Sequence, residues 1–374
     1  MDTSTQDDTP AQRVRSGESW NRFCTALQRA GAQVLRADAP DDTPTRTEGW
    51  RYLTRLLRIG LEMHVEAGTP EFPVFMAPSH ETAKIGADNP DMGYQAARID
   101  GRLRYRVWGT RGTVSSINFA TKRGGYEAGG RLLPSGFIDS TRMQFDEDGS
   151  FELTLSSEPQ PGNWLKTDPD VVQLLVRQVF LDRGREQPAQ IRIECLDRPA
   201  SPPPLSAEQL DAALQRAAGF VENTSRLFGD WAAGFQSHVN LMPPADQASC
   251  QAVGGDPNIF YYHSAWRLAD DEALLLELDR IPACEYWNVQ VDNHWMESLD
   301  YRWFRIAMNK HSARLEADGG VRIAIAHHDP GIPNWLQTAG HEHGTLCWRW
   351  IGCAEPLHPR TRVIKLAALD KEPR

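Results

Sequence analysis

The sequence predicts an α+β protein dominated by β-structure and built from two related units, each with helices ahead of its strands. Three observations carry that reading. Asn163-Trp-Leu-Lys-Thr returns as Asn334-Trp-Leu-Gln-Thr, and the stretch ahead of each also matches, Phe145-Asp-Glu-Asp-Gly-Ser-Phe-Glu-Leu-Thr-Leu against Leu315-Glu-Ala-Asp-Gly-Gly-Val-Arg-Ile-Ala-Ile. Self-similarity held at nearly the same offset, 171 residues for one match and 170 for the other, marks a duplicated unit. In each half, apolar residues at helical spacing give way to residues that alternate, as half-buried strands do. The length of 374 residues is enough for about two ordinary domains.

Residues 1–15 are polar and read as a disordered tail. Trp20, Phe23, Leu27, Ala30 and Val34 then share one face of a first helix. Thr45-x-x-Glu48 forms a capping-box pattern ahead of Trp50, Leu53, Leu57, Leu61 and Val65, and Gly68 is placed to stop this second helix. From Tyr94 the period shortens. Tyr105, Val107, Val114 to Phe119, Phe151-Glu-Leu-Thr-Leu, Val171 to Phe180 and Ile191 to Leu196 read as strands, giving helices plus a first β-unit over residues 16–198. Residues 199–205, Pro-Ala-Ser-Pro-Pro-Pro-Leu, form a stiff Pro-rich linker.

The remainder, 206–374, repeats the plan. Ser206-x-x-Gln209 caps one long helix or two short ones, and Ile259 to Tyr262, Ala273 to Leu278, Trp287 to Val291, Val321 to Ala326 and Thr345 to Ile351 are strands.

Composition excludes several classes. With 40% hydrophobic and 24% charged residues the chain is an ordinary globular protein. A net charge of -10 without a dense basic block argues against nucleic acid and anionic membranes as partners. Met1 to Arg15 has no signal-peptide character and no stretch reaches the roughly 18 apolar residues of a membrane span, so a cytoplasmic location is expected. The six cysteines form no Cys-x-x-Cys pair, which argues against a disulfide framework or thiolate zinc site. Nucleophile elbow, phosphate loop, dinucleotide fingerprint and His-Glu-x-x-His words are lacking, so no nucleotide or flavin cofactor is indicated.

Three words carry a resemblance: Asp329-Pro-Gly-Ile-Pro-Asn-Trp-Leu-Gln-Thr-Ala-Gly-His341, Asp300-Tyr301-Arg302 after Trp295, and Thr47-Glu48-Gly49-Trp50-Arg51-Tyr52-Leu53. Together they resemble a bacterial family known as domain of unknown function twelve-fourteen, often found beside a twelve-fifty-four domain. The resemblance implies predominantly antiparallel β-sandwich or jelly-roll-like units with accessory helices, and it implies no activity. The His341-Glu-His343 ending extends beyond the shared pattern.

The duplication supplies an internal comparison, in which residues shared by both copies serve the fold and residues confined to the second mark drift or function. Asn163/Asn334, Trp164/Trp335 and Leu165/Leu336 are shared, and both tryptophans are expected in the core. Aligned on these, His327 stands opposite Ser156, Asp329 opposite Glu158, His341 opposite Asp170 and His343 opposite Val172. On a strand, His341 and His343 would face the same way, and with His327 they would offer a ligand set to a divalent metal, although the glutamate usual in such sites is replaced near Cys347.

Alternation in Tyr286-Trp-Asn-Val-Gln-Val-Asp sends Asn288, Gln290 and Asp292 to one face, solvent or pocket, and Trp287, Val289 and Val291 to the other. His294 beside Asp292 could serve as a general base. These residues predict a pocket in the second unit with His341, His294 and Asp292 in catalytic roles, and with Asn288, Asp329, Trp287, Trp295 and Trp348 binding substrate.

Two readings remain open for that pocket. One is a small-molecule enzyme using His/Asp acid–base chemistry or a His-ligated metal. The other is a non-catalytic module binding an aromatic, lipid-like or sugar-like ligand. Either is compatible with a homo-oligomer.

Overall fold

In the computed structural model, which describes residues 9–371, the Thr9 hydroxyl accepts from the Gln12 amide and caps helix α1 (Pro10–Ser16). The expected tail is therefore helical from Pro10, and its residues 1–8 lie outside the described residues. Arg13 explains the order, since its guanidinium grips Asp211 at 2.6 Å. Helix α2 (Glu18–Gly31) buries Phe23, Ala26 and Ala30 but leaves Trp20 59% exposed.

Helix α3 (Thr43–Leu61) starts three residues earlier than its capping-box pattern indicates. Asp42 caps it, accepting from the Thr45 amide at 2.7 Å and the Thr45 hydroxyl at 2.9 Å. Glu48 is thereby released for another partner. The helix runs into a single π-turn, Glu62–Glu66, of the kind that widens helices at functional sites.

The first β-unit comprises β1 (Met92–Arg98), β2 (Tyr105–Thr110), β3 (Ser116–Gly125), β4 (Arg131–Asp139), β5 (Ser150–Ser156), β6 (Asn163–Lys166), β7 (Val171–Val179) and β8 (Gln190–Cys195). Ser206 and Gln209 form the expected capping box, and one unbroken helix follows, α4 (Ala207–Phe235). After the short α5 (Gln247–Ala252), the second unit brings β9 (Ile259–Arg267), β10 (Glu272–Leu278), β11 (Tyr286–Asp292), β12 (Ala307–Asn309), β13 (Val321–Ala326), β14 (Trp335–Gln337), β15 (His343–Ile351) and β16 (Arg360–Lys365).

The duplication holds strand for strand. The first unit's sheets run β1-β7-β3-β4 and β6-β5-β2-β8, and the second unit's run β9-β15-β11-β12 and β14-β13-β10-β16. Pairing is antiparallel except for β5 with β6 and its counterpart β13 with β14, both parallel. Each unit is a sandwich with its core between its own two sheets. Val107, Leu153, Phe119 and Val176 meet in the first, and Leu276, Ile323, Val289 and Trp348 in the second.

Asn163 and Asn334 explain why their word recurs. Asn163 accepts from the Gln144 amide and donates to the Gln144 and Glu152 carbonyls, while Asn334 does the same with Arg314 and Arg322. Each thus pins the chain entering its β-hairpin. The tryptophans beside them are equivalent but only half-buried, contrary to expectation, because β6 and β14 are edge strands. Trp164 donates to the Ser156 hydroxyl and Trp335 to the Ala326 carbonyl, while Leu165 and Leu336 fill the cores.

The β1-β7-β3-β4 sheet and its counterpart β9-β15-β11-β12 look toward each other across α4 and an irregular strap, residues 76–91. The alternation read in β11 is correct, with Trp287, Val289 and Val291 in the core, yet its polar face meets the strap rather than solvent. Asn288 donates to Asn89 at 2.9 Å, Gln290 donates to the Asp88 carbonyl at 2.9 Å, and Arg349 donates to the Ala87 carbonyl. Lys84 reaches the Ser298 hydroxyl at 2.7 Å, and Asp88 accepts from the Ser298 amide at 3.0 Å. A buried polar network this well satisfied ties the strap to the second unit.

Candidate functional site

A cavity of about 330 Å³ lies where the strap, the π-turn, α4 and the two facing sheets converge. That size is near the lower end of the roughly 300–1,000 Å³ range of small-molecule sites. Its walls are largely apolar. Phe220, Phe228 and Trp231 come from α4, Met92, Ala96 and Leu175 from the first unit's sheet, and Ile259 and Tyr261 from β9.

Polar groups enter at defined places. His64, positioned by the π-turn, has a side chain only 4% exposed, and neither ring nitrogen has a hydrogen-bond partner. Its Nε2 lies 3.9 Å from the Glu127 carboxylate, which stands on the turn between β3 and β4. Burial, with Arg216 and Arg98 nearby, pushes the His64 pKa down to about 3, so the imidazole is neutral; burial raises that of Glu127.

On the sheet wall, Gln173 Oε1 and Arg177 Nη1 are also buried without hydrogen-bond partners, although the other Arg177 amine donates to the Gly254 carbonyl at 2.6 Å. At the far end His263 stacks between Phe235 at 5.4 Å and Tyr261 at 5.9 Å, its pKa pushed to about 3 by burial and by Arg349.

None of the residues expected to form a pocket in the second unit lines this cavity. His341 lies in the turn before β15, so it does not share a strand face with His343. Its Nδ1 meets the Thr338 carbonyl at 2.9 Å and its Nε2 the Glu48 carboxylate at 3.0 Å. His343 pairs with Asp42 at 3.1 Å, and His327 bonds the Leu268 carbonyl and the Thr338 hydroxyl. The three histidines expected as metal ligands thus have separate partners. Among the described residues no group of three or more His, Cys, Asp or Glu side chains is placed to hold a metal ion.

His294 is buried edge-on to Trp295, its pKa held down to about 4 by burial and by His343 and Arg36. Asp292 is fully buried, with one carboxylate oxygen accepting from Gln290 at 2.6 Å and the other without a partner. Trp287 and Trp348 stack at 5.0 Å inside the second core, and Asn288 belongs to the strap network. Asp329 is exposed and closes its own turn onto the Gly331 amide.

Instead, several of these residues meet the helix word, Thr47 to Leu53. Glu48 meets His341, and Arg55 meets Glu297 at 2.5 Å. Trp295 donates to the Thr45 carbonyl at 2.8 Å and stacks near Tyr52. Gly49 lets the ring approach, since a Cβ there would fall 2.7 Å from a Trp295 ring carbon. The helix word, Trp295 and His341 thus dock α3 onto the second unit, and α3 in turn carries the π-turn that places His64.

Fold and cavity together define a class: a duplicated pair of eight-stranded sandwiches, bridged by helices, that encloses a mostly apolar chamber between its units. The chain belongs to the family described as Protein of unknown function (DUF1214), whose model matches residues 132–179 and 267–355. An uncharacterized protein from Burkholderia cenocepacia is 59% identical, with a TM-score of 0.94, over 96% of this chain and 99% of that one. The VPA0106 protein from Vibrio parahaemolyticus, 12% identical, shares the fold with a TM-score of 0.50, over 91% of this chain and all of that one. No curated protein matches. No helix among the described residues is long and apolar enough to cross a membrane.

Proposed function

We propose that this protein binds a small, largely apolar organic molecule in the cavity between its two β-units. The observation that carries the reading is His64, a buried imidazole facing an apolar chamber with both nitrogens unpartnered. Leaving a buried polar group unsatisfied costs about 1–3 kcal/mol, a cost that a bound ligand's own polar group would remove. Binding is favoured over proton-transfer catalysis because the buried histidines titrate far below neutrality, His64 and His263 at about 3 and His294 at about 4. A general base works best with a pKa near the operating pH. A cytoplasmic location belongs to the same proposal and fits six cysteines that are all free thiols.

The test is thermal unfolding of the full chain with a neutral apolar probe, indole. Saturating indole is expected to raise the melting temperature, because a ligand that binds only the folded state stabilises it by mass action, about 2.7 kcal/mol at one hundred times Kd. Ala96→Leu, which adds methyl groups inside the chamber, is expected to abolish the rise. An equal rise in both proteins, or none in the wild type, contradicts the reading.

A further inference from the structure

Beside His64, the inner end of the cavity gathers charge without pairing it. Arg98 closes β1 and lines the cavity; Arg216, in the first half of α4, is near it but outside the lining. Both are half-buried and near enough to His64 and Glu127 to shift their ionisation. Among the described residues neither guanidinium makes a hydrogen bond or an ion pair, and Nε of Arg216 is buried without a partner. The two half-buried guanidiniums repel each other, and burial together with Arg98 lowers the Arg216 pKa. An anion between them would relieve that repulsion, and the planar donor fork of arginine suits a carboxylate. Among the described residues Glu127 forms an ion pair with neither; its nearest such contact is the 3.9 Å approach to His64.

Neutral His64 offers one donor and one acceptor, both uncommitted, whereas Arg177 is already paired with Asp256 at 3.7 Å and bonded to the Gly254 carbonyl. From this end the chamber runs past Phe220 and Phe228 toward Trp231, with no further uncommitted charge on those side chains.

We infer that the cavity takes a small apolar monocarboxylate, its carboxylate held by Arg98 and His64 with Arg216 behind them, and its hydrocarbon body against Phe220, Phe228 and Trp231. This rests on the cavity-binding function proposed above and adds the ligand's chemical class.

Calorimetric titration of the full chain with phenylacetate, hexanoate and the neutral isostere phenylacetamide tests it. Phenylacetate or hexanoate is expected to bind at least about tenfold tighter than phenylacetamide, a difference of about 1.4 kcal/mol. Arg98→Gln should cost about tenfold in carboxylate affinity and Arg216→Gln somewhat less, and each should lower phenylacetamide affinity less than it lowers that of the acids. Both positions are half-buried, and a melting curve confirms that each variant is folded. Equal affinity for acid and amide, or variants that bind the acids as the wild type does, would overturn the carboxylate class while leaving the cavity reading intact. If none of the three probes binds, the carboxylate inference falls, and loss of the indole response as well removes the cavity reading beneath it.

Discussion

Replacing His341 with alanine should destabilise the protein in a way that depends on pH. The structure leaves little choice about its charge. Nδ1 faces the Thr338 carbonyl and Nε2 the Glu48 carboxylate, both acceptors, so two ring protons are needed to satisfy both. Burial opposes the imidazolium, but Glu48 and the Thr338 carbonyl outweigh it and raise the pKa above its usual value; the same pair lowers that of Glu48.

The signs follow from linkage. The raised histidine contributes stability that is fully present below its unfolded pKa of about 6.5 and is lost as pH rises through the folded value. The lowered glutamate contributes above about 4.5 and loses its contribution as pH falls. The pair is therefore strongest between those limits. With side chains only 21% and 17% exposed, its loss should cost about 2–3 kcal/mol at pH 6, as for hydrogen bonds between charged groups, and about 1 kcal/mol or less at pH 9. Urea unfolding of wild type and His341→Ala, followed by tryptophan fluorescence at both pH values, reads the difference. A cost that is the same at both, or under about 0.5 kcal/mol at pH 6, refutes the ion pair.

Other predictions concern the duplication and the docking of α3. Asn334→Ala strands three backbone groups and should cost about 2–4 kcal/mol in chemical unfolding, whereas Asn163→Ala, with the same bonds nearer solvent, should cost about half as much. Gly49→Ala would gain up to about 1 kcal/mol in a free helix, but here the added carbon meets Trp295 and Val34, so a loss of about 1–3 kcal/mol is expected on thermal unfolding. Asp292 is pushed up to about 8 by burial, so its ionisation penalises the folded state progressively between about pH 4 and pH 8. Asp292→Asn should therefore gain on the wild type by a few kcal/mol at most as pH rises across that window, and parallel stability profiles would contradict it.

What was legible in the sequence was local or repeated. The Asp-Gly turns and the Asn-Trp-Leu word exposed the duplication because turn chemistry and strand period act over a few residues, and the alternation of Trp287, Val289 and Val291 placed them correctly in the core. Trp164 and Trp335 look like core residues in the sequence because composition does not show that β6 and β14 are sheet edges. His341 and His343 look like a site because their partners are remote, Asp42 lying 301 residues before His343.

The cavity was illegible for the same reason. Its polar end joins the π-turn after α3, the β3–β4 turn and β1, and only folding brings His64, Glu127 and Arg98 together. Comparing the two copies also drew attention to what is unique to the second, whereas the chamber lies between them. The one available signal was His64 within the apolar stripe from Leu61 to Val65, a polar residue on a face otherwise headed for the core.

The most direct test of a chamber between the units is to soak crystals with bromobenzene and locate the bromine by anomalous scattering. The account predicts a peak within van der Waals reach of Phe228 or Trp231, between the two facing sheets. A peak inside the second unit beside His341 or His294, or no peak in the chamber, would contradict it.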